Sequence, residues 1–421
     1  MRGIQIPAAA PRFAMALLAT TIVLGCGAAS RPAQAAQATG SITGKASKAT
    51  LTTSNAAATG SGTADARLTA IAFVSRADGY GMFTRQAGGR CQILAGRTTD
   101  GGARFGTLAS VTTWPCGENP PASFLAADSH GDAFLYDPKL FVSHDGGRTW
   151  APGHQPGTVL AVATAGRTAW MVRADCPPHG RACELRVLQS ANGGRTWAAA
   201  PAQPTGATVP EVGGQPGQEG ALGQTWLVPI GRSSAYLLTG PADRAAAPMW
   251  FTADGGASWA RRAVRCGMRA LSVTLSAAPD GTLAAVCAAE PGAGFQAKSA
   301  ARSTDGGRTW AVHPTCLPSS ACQPVAPLDN GYLGQIDAVS AGTVFLVGDR
   351  SSLLVTMDGG AHWRTVRPLI GDTSGGTFGV IFVDSRDGFV LGDDAQRGDR
   401  PTIWRTLDGG AHWSRVTQGA G

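Results

Sequence analysis

Carboxylates in a repeated setting are the residues of this sequence that could do chemistry. The eight-residue frame Ser/Thr-x-Asp-Gly-Gly-x-x-aromatic occurs seven times, and successive copies start 45 to 62 residues apart. Its third position is occupied by Asp100, Asp145, Asn192, Asp254, Asp305, Asp358 and Asp408. A carboxylate can act as a general acid, a general base or a nucleophile in hydrolysis. One reaction does not need seven copies of a turn, however, and Asn192 cannot ionise. We therefore predict that all seven residues are structural.

The remaining positions of the frame are typical of a tight turn between strands. A short Asp or Asn side chain accepts hydrogen bonds from N–H groups of its own turn, and paired glycines adopt positive φ without steric cost. The closing aromatic residue would start the next strand and bury its ring. These residues are Phe105, Trp150, Trp197, Trp259, Trp310, Trp363 and Trp413.

This frame resembles the Asp box, also called the bacterial neuraminidase repeat (BNR). The family includes sialidases, sortilin-type receptors, some glucanases and photosystem assembly factors, so the resemblance implies a β-propeller but no single activity. The segment from Phe382 to Gly392, followed by the last box, is most similar to the photosystem assembly factor type. Proteins of that type bind protein partners.

A sialidase-like activity is the sharpest enzymatic hypothesis that the resemblance implies. It would require an Arg-Ile-Pro motif, an arginine triad, a Tyr nucleophile paired with Glu, and an Asp acid/base. The sequence contains no Arg-Ile-Pro, and Tyr136 beside Asp137 is the best candidate for the nucleophile. A glycosidase of another type needs two carboxyl groups about 5 to 9.5 Å apart. The candidates on the predicted loop face are Glu118, Asp137, Asp175, Glu211, Glu219, Glu290, Asp329, Asp349 and Asp393.

The elements that position these residues are short strands in groups of four. In each of the last two repeats, three short segments of alternating apolar residues precede the box and one follows it. Four such strands per repeat predict an all-β, seven-bladed propeller with an Asp box in the third-to-fourth strand turn of each blade. The first blade would open on its inner strand near Leu68, and the last would end on its outer strand near Val416. We therefore expect the ring to close by packing, without exchange of a strand.

The cysteines add a second pattern. Besides Cys26 the chain has eight, an even number that predicts disulfides in an exported protein: Cys91, Cys116, Cys176, Cys183, Cys266, Cys287, Cys316 and Cys322. All map to the face opposite the boxes, and we predict the sequential pairs 91–116, 176–183, 266–287 and 316–322. The long connection Pro201–Gly223 reaches the same face, where propellers often carry functional loops.

The N-terminal segment predicts export. Residues 1–35 read as a signal peptide with an apolar run from Phe13 to Gly25. Cleavage after Ala35 would release the protein, whereas the lipobox-like sequence before Cys26 would make Cys26 a lipidation site. Residues 36–66 have the composition of a disordered tether, and 67–421 would form the propeller. The expected location is extracytoplasmic, either secreted or anchored to the cell envelope.

Composition narrows the choice of partners. The formal net charge of +7 is small and scattered, which argues against nucleic acid. No CxxC or HxxxH spacing indicates a metal, and no cofactor motif is present. We expect a monomer that meets a membrane only through a lipid anchor. The favoured function is non-catalytic binding of a protein or glycan on the face opposite the boxes. The alternative is a glycoside hydrolase, exo-α-sialidase-like, acting at the channel mouth.

Overall fold

The computed structural model describes residues 66–177, 182–210, 225–240, 244–291, 296–314, 328–329, 331–348, 352–366, 377–394 and 400–416. Predictions for the signal peptide, Cys26 and the tether up to residue 65 lie outside these residues. The same holds for Cys316, Cys322, Glu211, Glu219, Asp349 and the second half of the Pro201–Gly223 connection.

The described chain forms seven antiparallel four-stranded sheets, the blades of a ring, and contains no helix. Blade 1 comprises β1 (Arg67–Phe73), β2 (Gly79–Ala87), β3 (Arg90–Thr98) and β4 (Ala109–Pro115). Blade 2 comprises β5 (Ala122–Ala127), β6 (Ala133–Pro138), β7 (Phe141–Ser143) and β8 (Ala151–Pro152). Blade 3 comprises β9 (Thr158–Ala165), β10 (Thr168–Asp175), β11 (Ala182–Ser190) and β12 (Ala198–Ala199), with β13 (Thr208–Pro210) also pairing with β11.

The remaining four blades repeat the same strand order. Blade 4 comprises β14 (Thr225–Pro229), β15 (Ala235–Thr239), β16 (Arg244–Thr252) and β17 (Ala260–Ala270). Blade 5 comprises β18 (Ser272–Ala277), β19 (Leu283–Ala288), β20 (Lys298–Ser303) and β21 (Ala311–Pro314). Blade 6 comprises β22 (Ile336–Ala338), β23 (Val344–Leu346), β24 (Leu354–Thr356) and β25 (Arg364–Thr365). Blade 7 comprises β26 (Thr377–Phe382), β27 (Gly388–Asp394), β28 (Arg400–Thr406) and β29 (Ser414–Arg415).

The core lies between blades. Buried apolar side chains of the described residues fall into seven clusters, and each cluster joins two neighbouring blades across what we call a seam. Strand side chains alternate between the two faces of a blade, so every blade contributes to the seam on either side. Burial of these side chains against the next blade is what holds the ring together.

The ring closes as predicted, without strand exchange among the described residues. β1 and β26 belong to separate sheets, and the seam between blades 7 and 1 is an apolar cluster. At its centre the rings of Phe73 and Phe389 stack with centroids 3.6 Å apart. Arg67 and Asp393 add an ion pair across the same seam at 3.5 Å.

Each Asp box lies in the third-to-fourth strand turn, as the repeat predicted. In six blades the first glycine of the box donates its N–H to a carbonyl of the first-to-second strand turn of the same blade; examples are Gly146 to Gly131 and Gly409 to Arg386. The two turns therefore share one face of the ring, which we call the box face.

The second glycine of each box packs against the preceding blade, and it has no room for a side chain. A Cβ at Gly410 would lie 2.1 Å from the Phe345 ring, and one at Gly194 would lie 2.4 Å from the Phe134 ring. Both glycines also have positive φ. The box is thus a seat for the neighbouring blade as well as a turn.

Candidate functional site: an arginine groove beside the fifth Asp box

All seven boxes use their acidic or amide side chain inside the turn. In each, the leading Ser or Thr hydroxyl donates to the carboxylate or amide oxygen at 2.8 to 2.9 Å and accepts the N–H of the second glycine. The same oxygen accepts the N–H of the residue four positions on. This bonding leaves little of the side chain for chemistry.

The box carboxylates are held in the ionised form. For Asp145, partial burial would raise the pKa, but hydrogen bonds from Thr149, Ser143 and the Arg148 N–H outweigh it and lower the pKa to about 2. For Asp408, hydrogen bonds from the backbone and ring of His412 are the leading cause of a pKa of about 2. A general acid needs the opposite shift.

Two box histidines bond to the carboxylate of their own turn. The side chains of His362 and His412 are 88% and 91% exposed, and each ring Nδ1 lies 2.6 Å from the box carboxylate. They occupy the position that a Thr hydroxyl has at Thr149. The box arginines Arg148 and Arg308 donate to the carbonyl of their own box Asp.

The turn makes a direct prediction for Asp145. Asp145→Ala removes the acceptor of four hydrogen bonds and should lower the free energy of unfolding by about 1 kcal/mol. The expected loss is small for four hydrogen bonds because the turn is partly exposed to solvent. Asp145→Asn should cost much less, because Asn192 already makes the equivalent bonds in blade 3. Chemical denaturation at pH 7 measures both, and equal losses for the two variants would contradict the hydrogen-bonding role.

The described cysteines form three of the four predicted pairs. Disulfides join Cys91 to Cys116, Cys176 to Cys183, and Cys266 to Cys287. Cys266, within the outer strand β17, and Cys287 are buried between blades 4 and 5 and do not lie on the surface of the predicted face. Three disulfides indicate an oxidising, extracytoplasmic compartment.

The loop-face carboxylates are engaged separately. Asp175 pairs with Arg173 and Arg186. Asp329 is buried and accepts the backbone N–H of Lys298, and Asp393 is buried beside Arg67. Glu118 and Glu290 are exposed on the surface.

Lys298 is the most buried charged side chain on that side. Its ammonium group donates to the carbonyl oxygens of Gln296, Leu328 and Gly331 at 2.9 to 3.1 Å. Burial lowers its pKa to about 8, and the nearby Asp329 carboxylate opposes that shift. Because all three N–H groups of its ammonium donate hydrogen bonds, Lys298 holds the connection between blades 5 and 6 in place.

Tyr136 is not activated as a nucleophile. It lies on β6, stacks on Phe124 with ring centroids 5.6 Å apart, and has a raised pKa because of burial and the neighbouring Asp137. A nucleophilic phenol needs a lowered pKa or a base. The described structure supports no sialidase role for Tyr136.

Asp337 is a residue that the sequence analysis missed. The seven innermost strands (β1, β5, β9, β14, β18, β22 and β26) carry two charged residues, Arg67 and Asp337. The Asp337 carboxyl accepts the Phe382 N–H at 2.7 Å and the Ser276 hydroxyl at 3.2 Å, so it joins blades 5, 6 and 7. Burial raises its pKa to about 6. Its signal in the sequence was an isolated acid in an apolar strand.

Four arginines among the described residues lie close together along a groove on the outer rim, which we call the arginine groove. It is an open depression of about 420 Å³ between the outer strand of blade 4 and the box of blade 5. Its lining residues are Ala260, Arg261, Arg262, Ala263, Arg265, Gly307 and Arg308. Three of the four arginines follow the fourth box on β17, and the last belongs to the fifth box.

The two walls of the groove are bonded to each other. Arg262 donates to the Gly306 carbonyl, and its guanidinium carbon lies 4.2 Å from the centre of the Phe251 ring. The Tyr236 hydroxyl donates to the same carbonyl at 3.4 Å. Arg261, Arg265 and Arg308 remain exposed.

The groove arginines form no ion pair within the described part of the chain. Six other arginines pair with an Asp or Glu: Arg67, Arg97, Arg173, Arg186, Arg195 and Arg415. The Asp305 carboxylate near the groove is ionised and hydrogen-bonded within its own turn, so it offsets one of the four positive charges without pairing with any of them. The remaining positive charge favours an anion with several carboxylate or phosphate oxygens.

The described residues give no sign of a metal centre or a membrane-spanning helix. No group of three or more His, Cys, Asp or Glu side chains is arranged to hold a metal ion. Within the same residues, no helix has the length and apolarity needed to cross a bilayer.

The geometry defines a class: a seven-bladed β-propeller built on Asp-box repeats. A model of the BNR/Asp-box repeat matches residues 141–152, the box of blade 2. None of the curated protein sequences compared with the chain matches it.

Solved structures with the same fold include two of YCF48. One is YCF48 bound to D1 peptide and the other is YCF48 from Cyanidioschyzon merolae; each is 17% identical with a TM-score of 0.50. They cover 81% of this chain and 93% and 95% of their own. A GH74 enzyme from Niastella koreensis is 14% identical, with a TM-score of 0.44, over 83% of this chain and 58% of that enzyme.

Proposed function

We propose that this protein is an extracytoplasmic, non-catalytic propeller that binds an acidic segment of a partner protein in the arginine groove. The observation that carries the proposal is the set of four guanidinium groups, from two blades, that form no ion pair with a described carboxylate. Guanidinium groups bind carboxylates through two parallel hydrogen bonds, so an Asp- or Glu-rich segment fits this surface. The fold relative solved with a bound D1 peptide supports a protein segment as the class of ligand.

The face opposite the boxes, favoured by the sequence, is a second candidate surface for a protein or glycan. Two disulfides, Cys91–Cys116 and Cys176–Cys183, stiffen its turns, and Phe124, 48% exposed beside Tyr136, offers an aromatic ring to a ligand. Secretion or lipidation at Cys26, and a monomeric state, remain part of the proposal on the sequence grounds given above.

A glycoside hydrolase is the alternative function. Against it, Asp337 has a raised pKa but no second carboxylate on the innermost strands of the described chain. A panel of fluorogenic glycosides tests the alternative. Turnover that is lost in Asp337→Asn would end the non-catalytic proposal.

Reversing the charge of the groove tests the binding proposal. A fluorescent twelve-residue peptide with six glutamates should bind the wild-type protein, and a peptide with glutamines in their place should not. Arg261→Glu with Arg265→Glu should weaken binding at least tenfold, because two attractions become repulsions worth about 1.4 kcal/mol or more together. Fluorescence anisotropy at about 0.15 M salt, where the Debye length is about 8 Å, measures both affinities.

The matched control changes the same charge elsewhere on the box face. Arg148→Glu with Arg364→Glu alters exposed arginines of blades 2 and 6, and should leave the affinity within about threefold of wild type once salt screens long-range attraction. An equal loss in the two double variants would show that only net charge matters. Absence of wild-type binding would reject the groove as the site.

A further inference from the structure

The disulfide Cys266–Cys287 crosses a seam at the arginine groove. Cys266 lies on β17, the outer strand of blade 4, and Cys287 lies on β19, the second strand of blade 5. Both residues are fully buried in the apolar cluster of that seam. An outer strand is otherwise hydrogen-bonded to its own blade on one side only, so the disulfide gives β17 a covalent attachment to the neighbouring blade.

A hydrogen bond reinforces this attachment. The buried Ser299 hydroxyl, on the third strand of blade 5, donates to the carbonyl of Cys266. Alternate residues of a strand point the same way, so Cys266, Val264 and Arg262 face blade 5, whereas Arg261 and Arg265 leave β17 on its other side. Arg262 is thus the β17 arginine that faces the fifth box, about 13 Å along the strand from Cys266.

The other described disulfides stay inside one blade. Cys91–Cys116 joins β3 to the residue after β4 in blade 1, and Cys176–Cys183 joins the segment after β10 to β11 in blade 3. Among the disulfides that the structure describes, Cys266–Cys287 is therefore the one that crosses a seam, and that seam borders the arginine groove.

We propose that the Cys266–Cys287 disulfide, together with the Ser299 hydrogen bond, positions the groove arginines for binding; this rests on the proposed function. The attachment fixes the spacing between the arginines of blade 4 and Arg308 of blade 5. A ligand that contacts both walls then loses no binding free energy to the ordering of β17, because the disulfide already holds that strand in place. Cys266, Cys287 and Ser299 act as positioning residues, since none of them contacts the ligand.

The test compares two disulfide-free variants. Cys266→Ala with Cys287→Ala should weaken binding of the six-glutamate peptide about fivefold or more, and the slope of log Kd against log salt should become shallower, because fewer arginines engage the ligand at once. Cys176→Ala with Cys183→Ala should lose thermal stability as well but keep the affinity within twofold and the slope unchanged. Both measurements are made at a temperature where each variant is folded.

Two further measurements make every outcome decisive. Ser299→Ala keeps the disulfide and should weaken binding about twofold; if the double variant does not fold, unchanged affinity of Ser299→Ala overturns the inference. Amide exchange in residues 260–266 should rise in the Cys266 variant and stay unchanged in the Cys176 variant. The exchange measurement needs no ligand, so the two proposals can fail separately. Failure of the wild-type protein to bind the peptide rejects the proposed function. Unchanged exchange and unchanged affinity in the Cys266 variant reject the positioning role.

Discussion

Phe389→Ala should lower the free energy of unfolding by about 3–5 kcal/mol, the usual cost of truncating a fully buried phenylalanine. Phe389 is completely buried on β27 and stacks on Phe73 of β1. Its cluster joins blade 7 to blade 1, the seam that the polypeptide does not cross. Because closure relies on packing there, the cavity should also loosen both flanking strands. Chemical denaturation gives the free energy, and hydrogen exchange of β1 and β26 reports the loosening.

Phe345→Ala is the matched control for this prediction. Phe345 is also buried, and it packs on Phe382 and Trp413 at the seam between blades 6 and 7, which the chain does cross. The free-energy loss should be similar, but the fast exchange of β1 should be absent. A loss below about 1 kcal/mol for Phe389→Ala would show that other contacts close the ring.

Asp337→Asn should stabilise the protein above pH 6 by up to about 3 kcal/mol. Burial raises the folded-state pKa of Asp337 from 3.8 to about 6, and hydrogen bonds from Phe382, Ser276 and Ala338 reduce that shift only in part. The folded state therefore holds a proton that the unfolded state releases between about pH 4 and 6, and wild-type stability falls with rising pH across that interval. An amide accepts the Phe382 N–H and donates to the Ser276 oxygen without carrying a charge.

The measurement is the free energy of unfolding from pH 4 to pH 7 for both proteins. The difference between Asp337→Asn and wild type should grow through this window and level off above pH 6. Asp384→Asn serves as the control because hydrogen bonds from the Asp387 and Arg386 N–H groups lower the pKa of that turn carboxylate. Its variant should show no gain at pH 7. Parallel curves for Asp337→Asn and wild type would contradict the raised pKa.

The fold could be predicted from the sequence because its signals are local. Each box combines a capping side chain with two glycines, and the strands beside it alternate apolar and polar residues over a few positions. The predicted start of the first inner strand near Leu68 and the predicted end of the last outer strand near Val416 each differ by one residue from the bounds of β1 and β29. The disulfides followed from the same topology, because blade order brings neighbouring cysteines to one face.

The candidate site could not be predicted because it is assembled across a seam. Arg308 belongs to the box of blade 5, while Arg261 and Arg265 lie in blade 4. Their proximity depends on how two blades pack, which no local pattern encodes. The same reason applies to Asp337, whose partners Ser276 and Phe382 are 61 and 45 residues away. The run of three arginines after the fourth box was the one local signal.

Among the described residues, side-chain contacts without strand exchange close the ring, and this has a consequence for the order of the blades along the chain. β1 and the strands of blade 7 meet at a seam of the same kind as the other six, an apolar cluster with a box glycine seated against the preceding blade, as Gly102 is against Ile403. Seven chain orders, each starting at a different blade, would thus give the same ring of blades. A circularly permuted chain opened between blades 2 and 3 would keep every seam contact described here.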